Sequence, residues 1–383
     1  MSDFKDHFYN DFKLGVLGGG QLGRMLIQSC VNFNVSTSVL DPDSQAPCSG
    51  FSNEFQKGAL QDFETVYQFG KSVDLLTIEI ENVNVEALEK LQEDGITVYP
   101  QPEVIKIIQD KRTQKQFYKD KGIPTADFIL IDNKDALKDH VNFLPAFQKM
   151  GKGGYDGGGV QKITSEADFP KAFNTPSLLE KAVDFEKEIS VIAARNSKGE
   201  VSTFPAVEMV FHPEFNLVDY LISPANIPTA VEEKAQELAK QVAESLGIVG
   251  ILAVEMFYTK DGEILVNEVA PRPHNSGHQT INANFTSQYE QHLRSILGLP
   301  LGSTAIKKPS AMVNLIGEEG YKGPAKYQGL DDILQVEGLS LFLYGKKITK
   351  PHRKMGHVTI VDENIDRLKE KVEFVKKTIK VIS

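Results

Sequence analysis

Glu255 and Glu268 stand on two short apolar runs, AVEMFYT and EILVNEVAP, joined by Lys260-Asp261-Gly262. An Asp-Gly pair between alternating apolar stretches predicts a two-residue hairpin turn. That turn sets Lys260 opposite Glu263 and, counting back along both strands, Glu255 opposite Glu268. Opposed Cβ atoms in a ladder lie roughly 5 Å apart, and like charges there repel. A divalent cation with hard oxygen ligands converts that repulsion into binding. Mg²⁺ held by one or two carboxylates plus substrate phosphates is the expected form of such a site. Two unrelated glutamates on a solvated hairpin face are the plain alternative. Against it, Ala-Pro-Arg-Pro-His-Asn-Ser-Gly-His follows at once, residues 270–278, dense in anion donors and turn formers. The pattern favours a metal–nucleotide site.

Other residues could serve the same chemistry. Gly18-Gly19-Gly20-Gln21-Leu22-Gly23 fits G-x-G-x-x-G after a strand, with Asp41 near the end of the next one. Such a turn presents backbone N–H groups and a helix N-terminus to an anion, and by itself suggests a dinucleotide-binding oxidoreductase. No hydride-transfer site follows it. A second glycine-rich stretch, residues 151–159, holds six glycines in nine and can lie along phosphates and close as a lid, with Lys149 just before it. Tyr155 and Asp156 within it argue against a bare linker. Glu180 and Glu188 bracket a turn and could accept from an adenine amine or ribose hydroxyls, although each also reads as an exposed strand residue. Lys346, Lys347, Lys350, Arg353 and Lys354 make a basic cluster in an acidic chain. There Arg353 suits a phosphate by paired donors and Lys346 by point charge, with a solvated loop as the bland alternative.

The elements that must position these groups follow from periodicity and punctuation. The first ~100 residues alternate strand and helix as βαβ units do. Strands are expected at Leu14–Leu17, Val35–Leu40, Val73–Ile80 and Ile96–Tyr99, with helices at Gln21–Asn32 and Val85–Glu93. One amphipathic helix, about Pro102 to Lys121, leads to Gly122-Ile123-Pro124, where a helix must stop. Residues 125–183 read β-α-β-loop-β-α-β. Helices at Thr229–Leu246, Thr286–Leu297 and near Ile365–Lys377 complete the chain.

Composition sets the bounds. With 383 residues, the chain can form two or three domains. Hydrophobic content of 41% and charged content of 25% are those of a globular protein. The net charge of −10 argues against broad nucleic-acid binding, which needs a basic face. Two cysteines are too few for a disulfide framework and suggest a reducing compartment. No run of about 18 apolar residues predicts a membrane span, and MSDFKDHFYNDFK lacks a signal-peptide core. A cytoplasmic protein is expected.

Six blocks occurring in order, VLGGGQLGRML (16–26), TIEIENV (77–83), DKRTQKQF (110–117), GGYDGGGV (153–160), VNEVAPRPHNSGH (266–278) and HRKMGHV (352–358), resemble the ATP-grasp ligases. The likeness runs over roughly residues 13 to 375 and narrows to a carboxylating branch of purine biosynthesis. It implies an α/β and α+β multidomain chain. A Rossmann-like parallel α/β domain (1–110) would precede the ATP-grasp fold (111–307, lid about 125–183), and a small β-rich domain (308–383) would follow. It implies that ATP and bicarbonate, with Mg²⁺, give carboxyphosphate, which carboxylates 5-aminoimidazole ribonucleotide and releases ADP and phosphate. It also implies a homodimer with no nucleic-acid or membrane partner.

Carried over residue by residue, the resemblance assigns Lys111 and Lys149 to the nucleotide phosphates and Gly154, Tyr155, Asp156, Gly157, Gly158 and Gly159 to the lid above them. Glu180, Lys181 and Val183 fall along the adenine, Glu188 at the ribose and His212 at a further nucleotide contact. Glu255 and Glu268 are the implied metal ligands, with Asn267 beside them. Arg272, His274 and Asn275 would hold bicarbonate and carboxyphosphate. Gln21, Glu81, Tyr155, Asp156, Lys346 and Arg353 are the implied ribonucleotide contacts. Three positions depart from a smooth fit. Strict alternation sends Asn267 away from Glu268 unless the strand bulges. Gly158 stands where Lys or Arg is usual, leaving Lys152 as a substitute cation. His352 stands where Gly is common. Another purine-pathway ATP-grasp ligase, such as a formate-dependent glycinamide ribonucleotide transformylase, is the alternative function, and a non-catalytic nucleotide-binding protein is a further reading.

Overall fold

A computed structural model describes residues 12–154, 158–212 and 217–383. The N-terminal part is a five-stranded parallel sheet in the order β3-β2-β1-β4-β5, built from β1 (Lys13–Leu17), β2 (Ser36–Asp41), β3 (Glu54–Lys57), β4 (Leu75–Ile78) and β5 (Thr97–Val98). Parallel strands need crossover helices, supplied by α1 (Gln21–Asn32), α2 (Phe63–Gly70) and α3 (Val85–Glu93). α1 turns Leu22, Met25, Leu26 and Cys30 inward at helical spacing. The expected strands and helices are present, with β1 starting one residue earlier, β2 shifted by one, and β4 and β5 shorter. β3 and α2 lie in a stretch too short and too polar for its period to announce them.

The single helix expected over 102–121 is two, α4 (Pro102–Ile108) and α5 (Lys111–Asp120). Asp110 breaks the run because its carboxylate accepts from Arg112 N at 2.9 Å, capping a new helix. Lys111 N donates to Gly151 O at 2.8 Å, which fastens the start of α5 to the start of the second glycine stretch.

Residues 128–181 form a four-stranded antiparallel sheet in the order β6-β9-β7-β8, from β6 (Phe128–Ile131), β7 (Ala146–Met150), β8 (Val160–Ile163) and β9 (Ser177–Lys181). The two helices expected inside this module are 3₁₀ in form, Lys134–Phe143 and Glu166–Lys171.

A nine-stranded antiparallel sheet carries the rest. Its members are β10 (Phe185–Arg195), β11 (Val201–Thr203), β12 (Val207–Phe211), β13 (Val218–Ser223), β14 (Gly250–Thr259), β15 (Ile264–Ala270), β16 (Ser310–Ile316) and the strands Leu339–Leu343 and Lys354–Val361. The path runs β15-β14-β10-β12-β13-β16, then Lys354–Val361 and Leu339–Leu343, with β11 beside β10. β13 pairs directly with β16, so one sheet crosses the boundary expected at 307/308. Helix α6 (Thr229–Leu246) covers one face, burying Val231, Ala235, Leu238, Ala239, Val242, Ala243 and Leu246 and ending at Gly247 in the left-handed region (φ 64°). Full burial of a Val or Leu contributes roughly 1.5–3 kcal/mol, so this one face anchors the helix. Among the described residues no helix is long and apolar enough to cross a membrane.

Candidate active site

β14 and β15 form the predicted hairpin, but its turn is not the two-residue one. Thr259 N donates to Glu263 O at 2.9 Å and Gly262 N to Thr259 O at 3.0 Å, with Gly262 at φ 84°. This is a three-residue loop closed by a left-handed glycine. It shifts the register by one, pairing Tyr258 with Ile264 and Met256 with Val266. A bulge at Asn267 then inserts one residue, and Glu255 faces Glu268 after all. β15 is an edge strand, and at the bulge its outer side is taken by the chain entering the four-stranded module. Val266 N donates to Pro124 O at 2.8 Å, and Val266 O accepts from Thr125 Oγ1 at 2.6 Å. The bulge also brings Asn267 to the site, where its Oδ1 accepts from Lys149 Nζ at 2.9 Å.

The two carboxylates differ in their surroundings. Lys111 bonds Glu268 through its ammonium and holds that carboxyl down at about 2, against the effect of burial. Glu255 is pushed up to about 8, by burial first and then by the charges of Glu268 and Glu188. Although Glu268 lies deep in the fold, 43% of its side chain is open to the cleft, so water screens it. Burial likewise raises Glu188, on β10, to about 7. Among the described residues no three His, Cys, Asp or Glu side chains converge as a metal cage. The opposed pair offers hard oxygen donors whose mutual repulsion a divalent cation would relieve, with its other ligands coming from elsewhere.

Above the pair lies a lysine cradle. Lys149, near the end of β7, reaches Glu180 Oε1 at 2.6 Å, and Lys115 reaches Glu180 Oε2 at 2.5 Å. The Glu180 carboxylate is thus committed to two ammonium groups. Lys181 turns its ammonium to the carbonyls of Phe143 (3.0 Å) and Leu144 (3.4 Å). Val183 lies half-buried in the link from β9 to β10, and His212 follows β12 with its N–H on Leu217 O at 2.9 Å. In the second glycine stretch Gly159 O accepts from Met150 N at 2.9 Å, and a side chain at Gly154 would meet Gly158 O. Tyr155, Asp156 and Gly157 lie outside the described residues.

Beyond the hairpin the chain turns sharply. Gln288, buried on the helix Gln288–Ile296, clamps His274 through both backbone groups, accepting from N at 2.8 Å and donating to O at 2.7 Å. Ser276 Oγ lies 2.9 Å from His274 Nδ1, leaving Nε2 3.5 Å from Glu255. Burial, with Arg272 and Lys354 nearby, lowers His274 to about 3, so its imidazole is neutral near pH 7. Arg272 pairs with Glu81 at 2.9 Å, which joins the end of the N-terminal sheet to this segment. Asn275 is buried with both amide atoms unpartnered, and such a group is costly unless something meets it.

The first glycine turn already holds anions. Gly20 N and Gly23 N donate to Glu79 at 3.0 and 3.2 Å, and Gly19 N donates to Asp41 at 2.7 Å. The anion expected at these N–H groups is supplied by the protein's own carboxylates, and burial raises Glu79 to about 7. Gln21 stands half-buried at the start of α1. The basic loop packs against that helix, since a side chain at Gly345 would overlap Arg24. Within the loop Lys346 donates to Lys354 O at 2.8 Å and Arg353 to Ile348 O at 2.6 Å. His352 sits at φ 62°, the left-handed conformation that explains why glycine suits that place, and pairs with Glu319.

Sequence reasoning missed Lys115, Glu79 and Gln288. Lys115 was visible only as a lysine four residues after Lys111, a spacing shared with any solvated helix face. Glu79 was visible as the first glutamate of TIEIEN, and Gln288 carried no signal.

The fold and site define an ATP-grasp enzyme. A model of the ATP-grasp domain matches residues 116–289, the ribonucleotide synthetase preATP-grasp domain matches 12–109, and the phosphoribosylaminoimidazole carboxylase C-terminal domain matches 310–371. The N5-carboxyaminoimidazole ribonucleotide synthase of Bacillus subtilis is 39% identical over 94% of this chain and 94% of its own. The crystal structure of the synthetase from Thermotoga maritima is 44% identical with a TM-score of 0.91, covering 97% of this chain and 99% of that one. A synthase from Aspergillus clavatus, solved with ADP and 5-aminoimidazole ribonucleotide, is 32% identical with a TM-score of 0.88, covering 96% and 98%. The chain belongs to the N5-carboxyaminoimidazole ribonucleotide synthase family.

Proposed function

We infer that this cleft uses ATP and bicarbonate to carboxylate the amine of 5-aminoimidazole ribonucleotide in purine biosynthesis. The observation that carries the reading is the opposed Glu255–Glu268 pair, set between a lysine cradle on one side and Arg272, His274 and Asn275 on the other. Bicarbonate oxygen attacks the γ-phosphorus, ADP leaves, and the resulting carboxyphosphate passes its carboxyl group to the amine, releasing phosphate. The relatives named above are carboxylating enzymes, which disfavours the formate-dependent alternative.

Phosphoryl transfer to a weak anionic nucleophile needs charge neutralisation and positioning more than covalent help. Glu255 and Glu268 would hold Mg²⁺, with the remaining ligands from phosphate oxygens and water. The ion would draw charge from the phosphates as the bond breaks. Lys111 and Lys149 reach the same phosphates, and Asn267 keeps Lys149 aimed. Glu180, Lys181, Val183, Glu188 and His212 line the adenosine, and the second glycine stretch would serve the phosphates. Arg272 is held in place by Glu81, and the open amide of Asn275 is suited to a bicarbonate oxygen. His274 is a neutral donor or acceptor rather than a cation. Gln21, Glu81, Tyr155, Asp156, Lys346 and Arg353 would take the ribonucleotide, and the close approach of Gly345 to Arg24 sets the start of the basic loop against α1. Excluding water protects carboxyphosphate from hydrolysis. A homodimer is the expected assembly, which sedimentation of the purified chain checks, and the cytoplasm is the expected compartment.

The decisive assay is ADP release from Mg²⁺-ATP and bicarbonate, with and without 5-aminoimidazole ribonucleotide. Stimulation by the ribonucleotide that disappears without bicarbonate is the expected result. ATP binding without any such stimulation overturns the substrate assignment.

A further inference from the structure

Lys115 has no part in the roles given above, yet it is among the most completely buried charges of the cleft, with 3% of its side chain exposed. It lies one helical turn after Lys111 on α5. Its ammonium bonds Thr125 Oγ1 and stands 2.5 Å from Glu180 Oε2. The other oxygen of the same carboxylate is taken by Lys149 at 2.6 Å. One carboxylate therefore carries two ammonium groups, and charge balance needs only one.

The two lysines are not equivalent. Thr125 bonds onward to Val266 O at 2.6 Å, so Lys115 is tied to the root of the four-stranded module and to β15. Lys149 is 13% exposed, stands at the end of β7 where the second glycine stretch begins, and has Asn267 as its only other described partner at 2.9 Å. We propose that Lys115 is a positioning residue that keeps Glu180 neutralised, so that Lys149 can leave that carboxylate for a nucleotide phosphate. This rests on the reading of Lys149 as a phosphate ligand.

The physical ground is the cost of stranding a charge. Removing one partner of a buried ion pair is strongly destabilising because the other charge is left unpaired. With Lys149 as its sole partner, Glu180 would hold that lysine back, and each phosphate contact would be made against that restraint. With Lys115 fixed behind it, Glu180 keeps a counter-ion whichever way Lys149 points. Burial lowers Lys115 to about 8, opposed by the Glu180 charge. Burial works to raise Glu180, but Lys149 and then Lys115 outweigh it and hold that carboxyl below its ordinary value.

The test compares the dissociation constants of Mg²⁺-ATP and adenosine by calorimetry, because their ratio isolates the phosphate contribution. Lys149→Met should lower the ATP preference on the order of 30-fold, and Lys115→Met about tenfold although Lys149 is intact. Lys115→Arg should retain the preference, and Lys115→Met/Glu180→Gln should restore it to within about threefold, since no buried carboxylate then competes for Lys149. If Lys149→Met leaves the ratio unchanged, the reading of Lys149 fails and the inference with it. If Lys149→Met lowers the ratio and Lys115→Met does not, the inference alone is overturned. Should Lys115→Met fail to fold, the double variant decides, because it removes both members of the Lys115–Glu180 pair and leaves Lys149 on Asn267. A wild-type ratio supports the proposal, and a tenfold loss in that variant refutes it.

Discussion

Glu268→Gln removes one of two facing charges while keeping the shape of the side chain. The structure predicts three consequences of different size. A divalent cation would lose one of its two carboxylate ligands, and truncating one member of a close charge pair costs roughly 2–5 kcal/mol. At about 1.4 kcal/mol per decade this is on the order of 30- to several-thousand-fold in kcat. Lys111 loses its ion-pair partner, but it is then free for a phosphate, so KM for ATP should change by less than about fivefold. The fold should survive, because the lost Lys111–Glu268 bond is offset by relief of the Glu255–Glu268 repulsion. A change in Tm under about 3 °C is expected. Steady-state ADP release across a Mg²⁺ titration, with calorimetric melting on the same sample, measures all three. The variant should need more Mg²⁺ for half-maximal rate. Near-normal turnover at ordinary Mg²⁺ would refute the metal role of the pair.

Arg353→Ala is expected to raise KM for the ribonucleotide about tenfold or more, with KM for ATP little changed, as for loss of a phosphate-pairing guanidinium; a fall in ATP affinity instead means that the basic loop serves the other ligand. Glu255→Gln tests the raised carboxyl. A folded-state value near 8 against an ordinary 4.5 gives stability that is full below about pH 4.5 and lost as pH rises through 8. Metal-free wild type should therefore lose stability between pH 5 and 8 more steeply than the variant, and parallel melting curves would show Glu255 to be ionised throughout. His352→Gly should stabilise the chain by about 0.5–1 kcal/mol in urea titrations, since glycine adopts φ 62° freely while the Glu319 pair it loses is largely exposed. A loss of stability there would mean that the pair outweighs the backbone strain.

The hairpin shows how far sequence reasoning reaches. Apolar alternation and Asp-Gly locate both strands and the facing glutamates, but the turn length differs, and the bulge that Asn267 requires compensates for it. The turn has three residues rather than two, and the bulge at Asn267 restores the register. The turn is a local matter of Gly262, whereas the bulge is held by Pro124 and Thr125, some 140 positions away in the chain. The same limit explains the first glycine turn. Its N–H groups and helix start were readable, but Glu79 and Asp41, which fill it, arrive from neighbouring strands. Asp110 has the residue type of a cap, but the apolar period runs through it and masks the break. His352 was readable as an oddity, and its positive φ is the physical content of that oddity.

The nine-stranded sheet constrains how this chain can be cut. Strand β16 covers the open edge of β13 by pairing Ser310–Val313 with Tyr220–Ser223, and the apolar face behind it is closed by the helix Ile365–Thr378. A fragment ending near residue 307 would leave β13 with a bare ladder edge and an uncovered apolar face, the two features that drive sheet proteins to aggregate. A proteolytic nick at that boundary would likewise leave the two pieces laced together by backbone hydrogen bonds. The residues from 308 onward are therefore as much a part of this sheet as the hairpin that carries its two facing carboxylates.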